Sequence, residues 1–174
     1  RFKFYRQLDD IPLSDALPMM ENMGLRVISE HPYRIELPGP GGMIEPVYIQ
    51  DFEVELAPGA GTGRDAHGEL EIDSLDEQFE DGFLQVWRGL AENDGFNRLI
   101  LAAGLHWRQV AMLRAYSKYL QQVGVPFSQS YVEATFARYP LLARLMVAYF
   151  EARFDPDIAR GSANLVGQLQ SIGG

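Results

Sequence analysis

A chain of 174 residues with 47% hydrophobic content, no cysteine, and 24 acidic against 15 basic residues suits one globular unit or one domain with an appendage. It fits neither a disordered tail nor a disulfide-stapled secreted module, and its apolar stretch around Leu141 to Phe150 is broken by Arg144, so no membrane span is expected. The charge is divided unevenly, with 6 basic and 18 acidic side chains in residues 1–82 and 9 and 6 thereafter; so negative a first half repels phosphate, which excludes nucleic acid as a partner. The chain opens at Arg1 without a methionine or signal-type segment and ends at Gly173-Gly174, which reads as an internal piece of something longer.

In chain order, Phe2-Lys3-Phe4-Tyr5, Leu25-Arg26-Val27-Ile28, Tyr33-Arg34-Ile35-Glu36-Leu37 and Val47-Tyr48-Ile49 mix β-branched or aromatic residues with polar ones at period two and predict strands. The change of phase from Val47 and Ile49 to Phe52, Val54 and Leu56 suggests a bulge near Asp51. Between the first strands lies a helix with Ser14 as expected N-cap, Pro18 in its first turn, Leu17, Met20 and Met23 on one face, and Gly24 at its end.

From Ser74 the period becomes helical, with Leu75, Phe79, Phe83, Val86 and Leu90 behind a Ser74-x-x-Glu77 capping box and a stop at Asn93-Asp94-Gly95. A helical stretch from Phe96 to Ala103, a joint at Gly104, and a helix from Trp107 to Gln122 with His106 as N-cap follow. Gly124 and Pro126 stop the chain again. Ser130-x-x-Glu133 predicts a second capping box, and Pro140 opens the last clear helix, which stops near Phe154-Asp155-Pro156.

Strands followed by helices make the fold class α+β, and strand, helix, strand, strand, helix is the order of the ferredoxin-like βαββαβ plan without its closing strand. Leu99-Ile100-Leu101 and Val123 to Phe127 are weak candidates for that strand, one embedded in a helical pattern and the other broken by Pro126.

The chemistry-bearing motifs thin out under inspection. Gly39-Pro40-Gly41-Gly42 and Gly59-Ala60-Gly61-Thr62-Gly63 lack the strand-to-helix turn that a phosphate cradle needs, and are read as surface loops. His31, His67 and His106 are not spaced as metal ligands, and Glu69 to Asp81 is an acidic loop running into a helix N-terminus rather than a calcium loop. No catalytic, cofactor or metal residue is assigned. What remains is Asp9-Asp10-Ile11-Pro12-Leu13-Ser14, the link from first strand to first helix, where backbone donors reach the domain edge. An ordinary loop with a Ser cap is the favoured reading, because Asp9 and Asp10 would repel an incoming carboxylate; if an amino-acid effector docks here, its ammonium group meets the two aspartates, and Asp9, Asp10 and Ser14 are its candidate contacts.

The run Glu92-Asn93-Asp94-Gly95-Phe96-Asn97-Arg98-Leu99-Ile100-Leu101, continued by Ala103 to Val110 and Leu113 to Leu120, resembles the large-subunit, NAD-specific glutamate dehydrogenases of bacteria. Leu13 to Ile28, Pro126-Phe127-Ser128-Gln129 and Ala152-Arg153-Phe154-Asp155-Pro156 resemble the same family, so the resemblance covers about residues 1–156. It implies an ACT-like regulatory domain over residues 1–92 with an acidic loop at 57–73, a helical connector over 93–156, and a tail or linker over 157–174. It also implies a cytoplasmic, homo-oligomeric parent that oxidises L-glutamate with NAD, while this segment holds neither the NAD site nor the catalytic residues. Its partners would be the catalytic core and other ACT-like domains. Where amino-acid-binding ACT domains have an Asp-x-Pro-Gly turn, this chain has Asp10-Ile11-Pro12-Leu13, so a leucine side chain stands where a ligand would approach the backbone.

Two functions of different class follow: a non-catalytic regulatory and structural segment of that dehydrogenase, or a standalone amino-acid-binding or protein-interaction module using the aromatic and arginine-rich helices between Trp107 and Arg153.

Overall fold

The computed structural model describes residues 1–7, 9–38, 44–57 and 72–154. The two glycine clusters, most of the acidic loop 57–73 and the tail 157–174 lie outside them.

The elements run β1 (Phe2–Gln7), α1 (Leu13–Asn22), β2 (Leu25–Pro38), β3 (Ile44–Leu56), α2 (Ile72–Trp87), a 3-10 turn (Gly95–Arg98), α3 (Leu99–Ala103), α4 (Trp107–Gln122), α5 (Gln129–Arg138) and α6 (Pro140–Phe154). The sheet is antiparallel in the order β1-β3-β2, and with the helices after it the architecture is α+β, as expected. Both candidates for a fourth strand fail: Leu99–Ala103 is helical, and residues 123–127 are turn and irregular chain.

The phase change in β3 has a different cause from the one expected. Its pairing with β1 runs unbroken from Phe2 opposite Phe52 to Gln7 opposite Val47, and its pairing with β2 is unbroken past Asp51, so β3 carries no bulge there. As the central strand it is apolar on both faces: Phe52 and Val54 join the core under the helices, while Val47 and Ile49 face the other side with Tyr5, Tyr33 and Ile35. The register shift lies between Val27 and Ser29 on β2. One extra residue there moves the apolar set of β2 from the helix side, where Leu25 and Val27 pack, to the open side, where Tyr33, Ile35 and Leu37 stand exposed.

Local signals were right about extent more often than about caps. Helix α1 starts at Leu13 behind Pro12, whose fixed φ of −56° presets the entry and whose carbonyl accepts from the Asp15 and Ala16 N–H groups at 2.9 and 3.1 Å. Ser14 is therefore inside the helix, its Oγ donating to Asp15 Oδ1 at 3.3 Å, and Pro18 falls in the interior rather than in the first turn. Gly24, at φ 87°, ends the helix as expected.

Helix α2 begins at Ile72, before Ser74, and ends at Trp87, before the expected Leu90, which is exposed. The expected stop residue Asp94 instead caps the 3-10 turn, accepting from the Phe96 N–H at 3.1 Å. His106 does cap α4: its Nδ1 accepts from the Arg108 N–H, and Gln109 Oε1 accepts from the His106 N–H at 2.9 Å. The cap of α5 is Ser128, accepting from the Tyr131 N–H at 3.2 Å, two residues before the expected Ser130.

One core runs through both halves. Phe2, Phe4, Phe52, Phe79 and Phe83 form an edge-to-face and tilted aromatic cluster, with Phe2 to Phe4 at 4.8 Å and Phe4 to Phe83 at 4.9 Å, that fixes α2 on the sheet. On its other flank α2 meets α3 at Gly82, where even a Cβ would collide with Ile100 Cδ1. Met20, Met23, Phe96, Leu99, Ile100, Val110 and Leu113 then carry the same buried cluster into the helices.

Candidate functional site

The β1–α1 link is held from below by a side chain that sequence reading did not single out. Gln50, 5% exposed on the central strand, accepts from the Ile11 N–H through Oε1 and donates to the Ile11 carbonyl through Nε2, each at 2.9 Å. This two-point clamp consumes both backbone groups of Ile11. A polar residue at a core-facing position of a central strand was the signal that could have found it.

Asp9, Asp10 and Ser14 are all exposed; Ser14 Oγ is turned to Asp15, and α1 starts at Leu13 behind Pro12. The exposed Leu13 side chain stands at the same corner. Asp15 adds negative charge to the first helical turn. A free carboxylate is disfavoured here, and an ammonium group is the chemistry that the two exposed aspartates would accept.

A second constellation lies where the sheet half meets the helices. Arg114 of α4 is 4% exposed, and its Nε donates to Asp94 Oδ2 at 2.7 Å while its Nη2 donates to Asp94 Oδ1 and Asn97 Oδ1 at 2.8 Å each. Asn97 in turn donates to the Glu92 carbonyl at 2.8 Å, and Gln129 of α5 donates to Asp94 Oδ2 at 3.1 Å. Lys118 pairs with Glu92. The Arg114 guanidinium also lies 5.8 Å from the centre of the Phe96 ring. In the run Glu92 to Arg98, whose spelling carried the family resemblance, Asp94 and Asn97 close on the buried Arg114, and a Gly95 Cβ would press on Glu133 Oε2 at 2.5 Å. Its chemistry is positional, because every polar group named finds a protein partner.

Two further contacts join the halves. Asn22 at the end of α1 donates to Asn93 Oδ1 at 3.0 Å. His106 Nε2 meets Asp81 Oδ2 of α2 at 3.1 Å. The hydrogen bond from Gln85 holds the Asp81 carboxyl below the ordinary aspartate range; desolvation opposes this, while the His106 charge and hydrogen bonds from His106 and Trp107 add to it.

Among the described residues, no group of three or more His, Cys, Asp or Glu side chains is arranged to hold a metal ion, and no helix is long and apolar enough to cross a membrane. The cleft between α4 and α6 is almost wholly apolar, lined by Met112, Tyr116, Leu145, Met146, Tyr149, Phe150 and Phe154.

Comparison with known proteins places these two halves in one context. Residues 1–69 match the model of the glutamate dehydrogenase ACT3 domain, and residues 91–156 match that of glutamate dehydrogenase helical motif 3. An NAD-specific glutamate dehydrogenase of Halomonas elongata is 40% identical over 163 residues, and those of Mycobacterium tuberculosis and Pseudomonas aeruginosa are 40% and 38% identical over 152 residues. The alignments cover 94%, 87% and 87% of this chain, but the chain spans only about 9% of the length of each relative.

Proposed function

Because this chain belongs to the NAD-specific glutamate dehydrogenase family, we propose that it is a non-catalytic regulatory and structural segment of such an enzyme, coupling an ACT-like sheet to a helical connector. The parent reaction would be oxidation of L-glutamate by NAD to 2-oxoglutarate and ammonia, carried out in the cytoplasm by a homo-oligomer whose catalytic core lies elsewhere in the polypeptide. One observation carries the reading: two models of the same family match in succession, an ACT domain and then a helical motif, within a chain spanning about 9% of its relatives. The continuous core supports it, since a sheet and helices that share buried residues transmit a displacement as packed bodies rather than through a loose linker.

Residues 1–92 make up the sensing and contact half, and 93–156 the connector, whose apolar α6 face is the surface offered to the core or to a neighbouring subunit. An amino-acid effector would meet Asp9, Asp10 and Ser14 by its ammonium end. Spectrophotometric assay of the purified 174-residue chain with glutamate and NAD tests the central point: no NADH above a no-protein control is expected, and steady turnover would overturn it. Calorimetric titration with glutamate, aspartate and arginine then separates the two roles of the sheet. Saturable heat abolished by Asp9→Asn with Asp10→Asn makes the link an effector site, and silence assigns the domain to assembly.

A further inference from the structure

The open face of the sheet holds a buried acceptor that lacks a donor. Asp51 of β3 is 5% exposed, and Lys3 lies directly across from it on β1, so its side chain stands on the same face as Lys3 and Tyr5. Asp51 Oδ2 takes both of its ion pairs from the β1 side, with Arg1 and Lys3 at 3.4 Å each. Oδ1 is buried and has no hydrogen-bond partner among the described residues, and His31, its neighbour across on β2, does not supply one. Buried polar atoms are as a rule hydrogen-bonded, so Oδ1 calls for a further donor.

Donors stand on the same face, one row along the sheet. There Ile49 is flanked by Tyr5 on β1 and Tyr33 on β2, both more than half exposed. Ile35 and Leu37 continue this apolar surface along β2, placed there by the register shift between Val27 and Ser29. Arg1 and Lys3 offset Asp51 beside it, so the patch is not acidic although the chain carries a formal charge of −9. Two copies can therefore approach here against little repulsion.

We propose that two copies of this chain pack these sheet faces together about a twofold axis that lies between the sheets, at right angles to β3 and midway between Ile49 and Asp51. Such an axis sets each Asp51 over the Ile49 row of the other copy and keeps β2 over β2. The Tyr33 hydroxyl of each copy then donates to Asp51 Oδ1 of the other, on the side that Arg1 and Lys3 leave open. The contact is isologous, one donor and one acceptor from each copy, and the apolar side chains around it fill the roughly 10 Å gap between facing sheets. It differs from strand addition at an edge, because no backbone hydrogen bond joins the copies. The inference deepens the assembly role of the sheet half and rests on that reading, but it is read through association rather than turnover, so the two fail separately.

The experiment is sedimentation equilibrium of the 174-residue chain bearing Leu145→Glu and Tyr149→Glu, which removes association through α6. A dimer is expected. Tyr33→Phe should raise its dissociation constant about tenfold or more, since two hydrogen bonds per dimer are lost, and Ile35→Glu about a hundredfold or more. With Asp51→Val in place Tyr33→Phe should change nothing, and this double variant should pair nearly as well as the starting chain, because acceptor and donor are both gone. Thermal unfolding checks that each variant is folded, and Tyr33→Phe, which deletes one exposed hydroxyl, carries the test if Ile35→Glu does not fold. A monomer at about 100 μM, a dimer indifferent to Tyr33→Phe, or an equal loss on Tyr33→Phe in the presence of Asp51→Val overturns the proposal.

Discussion

At the scale of single residues, the energetics concentrate on groups that the sequence presents as ordinary surface charges. Arg114 is one of several arginines scattered singly along the second half, yet among the described residues it is the one that is buried, closed upon by Asp94 and Asn97. Arg114→Met leaves the Asp94 carboxylate, 14% exposed, without its counter-ion, and the expected cost is about 3–5 kcal/mol, read as a fall in the thermal midpoint. Lys118→Ala, which removes an exposed partner of Glu92, should cost less than about 1 kcal/mol in the same measurement. Asp81 gives a pH dependence of known sign. Its folded pKa is depressed, so its contribution is present above the unfolded value of about 3.9 and is lost as pH falls through the folded one. Both partners are some 40% exposed, so the effect is small: Asp81→Asn should lower stability at neutral pH slightly and flatten the acid limb of a stability-against-pH curve.

At the scale of elements, the sequence was most legible where spacing alone decides. The bounds of α4 follow from its 3.6-residue pattern and the His106 cap, and Pro140 opens α6 because its missing N–H is among those a helix cannot use. The caps of α1 and α5 each lie two residues before the expected ones because Pro12, Ser14, Ser128 and Ser130 compete locally, and the winner depends on how the incoming chain is held. At α1 that hold is the Gln50 clamp on Ile11. Pro18, exposed within α1, removes one helical hydrogen bond, so Pro18→Ala should stabilise the protein by roughly 1–3 kcal/mol in denaturant unfolding. Gly82 works in the opposite sense, because it lets α2 approach α3. Gly82→Val should destabilise by about 1–3 kcal/mol, and Ile100→Val in the same chain should recover part of the loss; strictly additive effects would show that the two helices do not share the contact.

At the scale of the whole molecule, one core is wrapped by surfaces of different kinds: an acidic first half, an open sheet face carrying Tyr5, Tyr33 and Ile35, and an apolar α6. Helix α6 buries only Ala143 and Val147 and leaves Leu141, Leu145 and Tyr149 about 60% exposed or more. A surface of that kind on an isolated chain promotes association. Leu145→Glu with Tyr149→Glu should therefore lower the apparent mass in light scattering and reduce binding of a hydrophobic dye, with no loss of thermal stability; an unchanged mass would remove α6 from the list of contact surfaces.

The sequence by itself determined the class of fold, the order of the elements, most helix bounds and, through the spelling of residues 92–120, the family. Each of these is written in local period or in a contiguous run. Only the tertiary structure decided which polar residues are buried, which face of β3 meets the helices, and that β2 carries the bulge. Those outcomes depend on partners far apart in the chain, such as Ile11 with Gln50, Asp94 with Arg114, and Val27 with Val54, and the free energy of a buried polar group or a strand register is fixed only when the distant partner is in place.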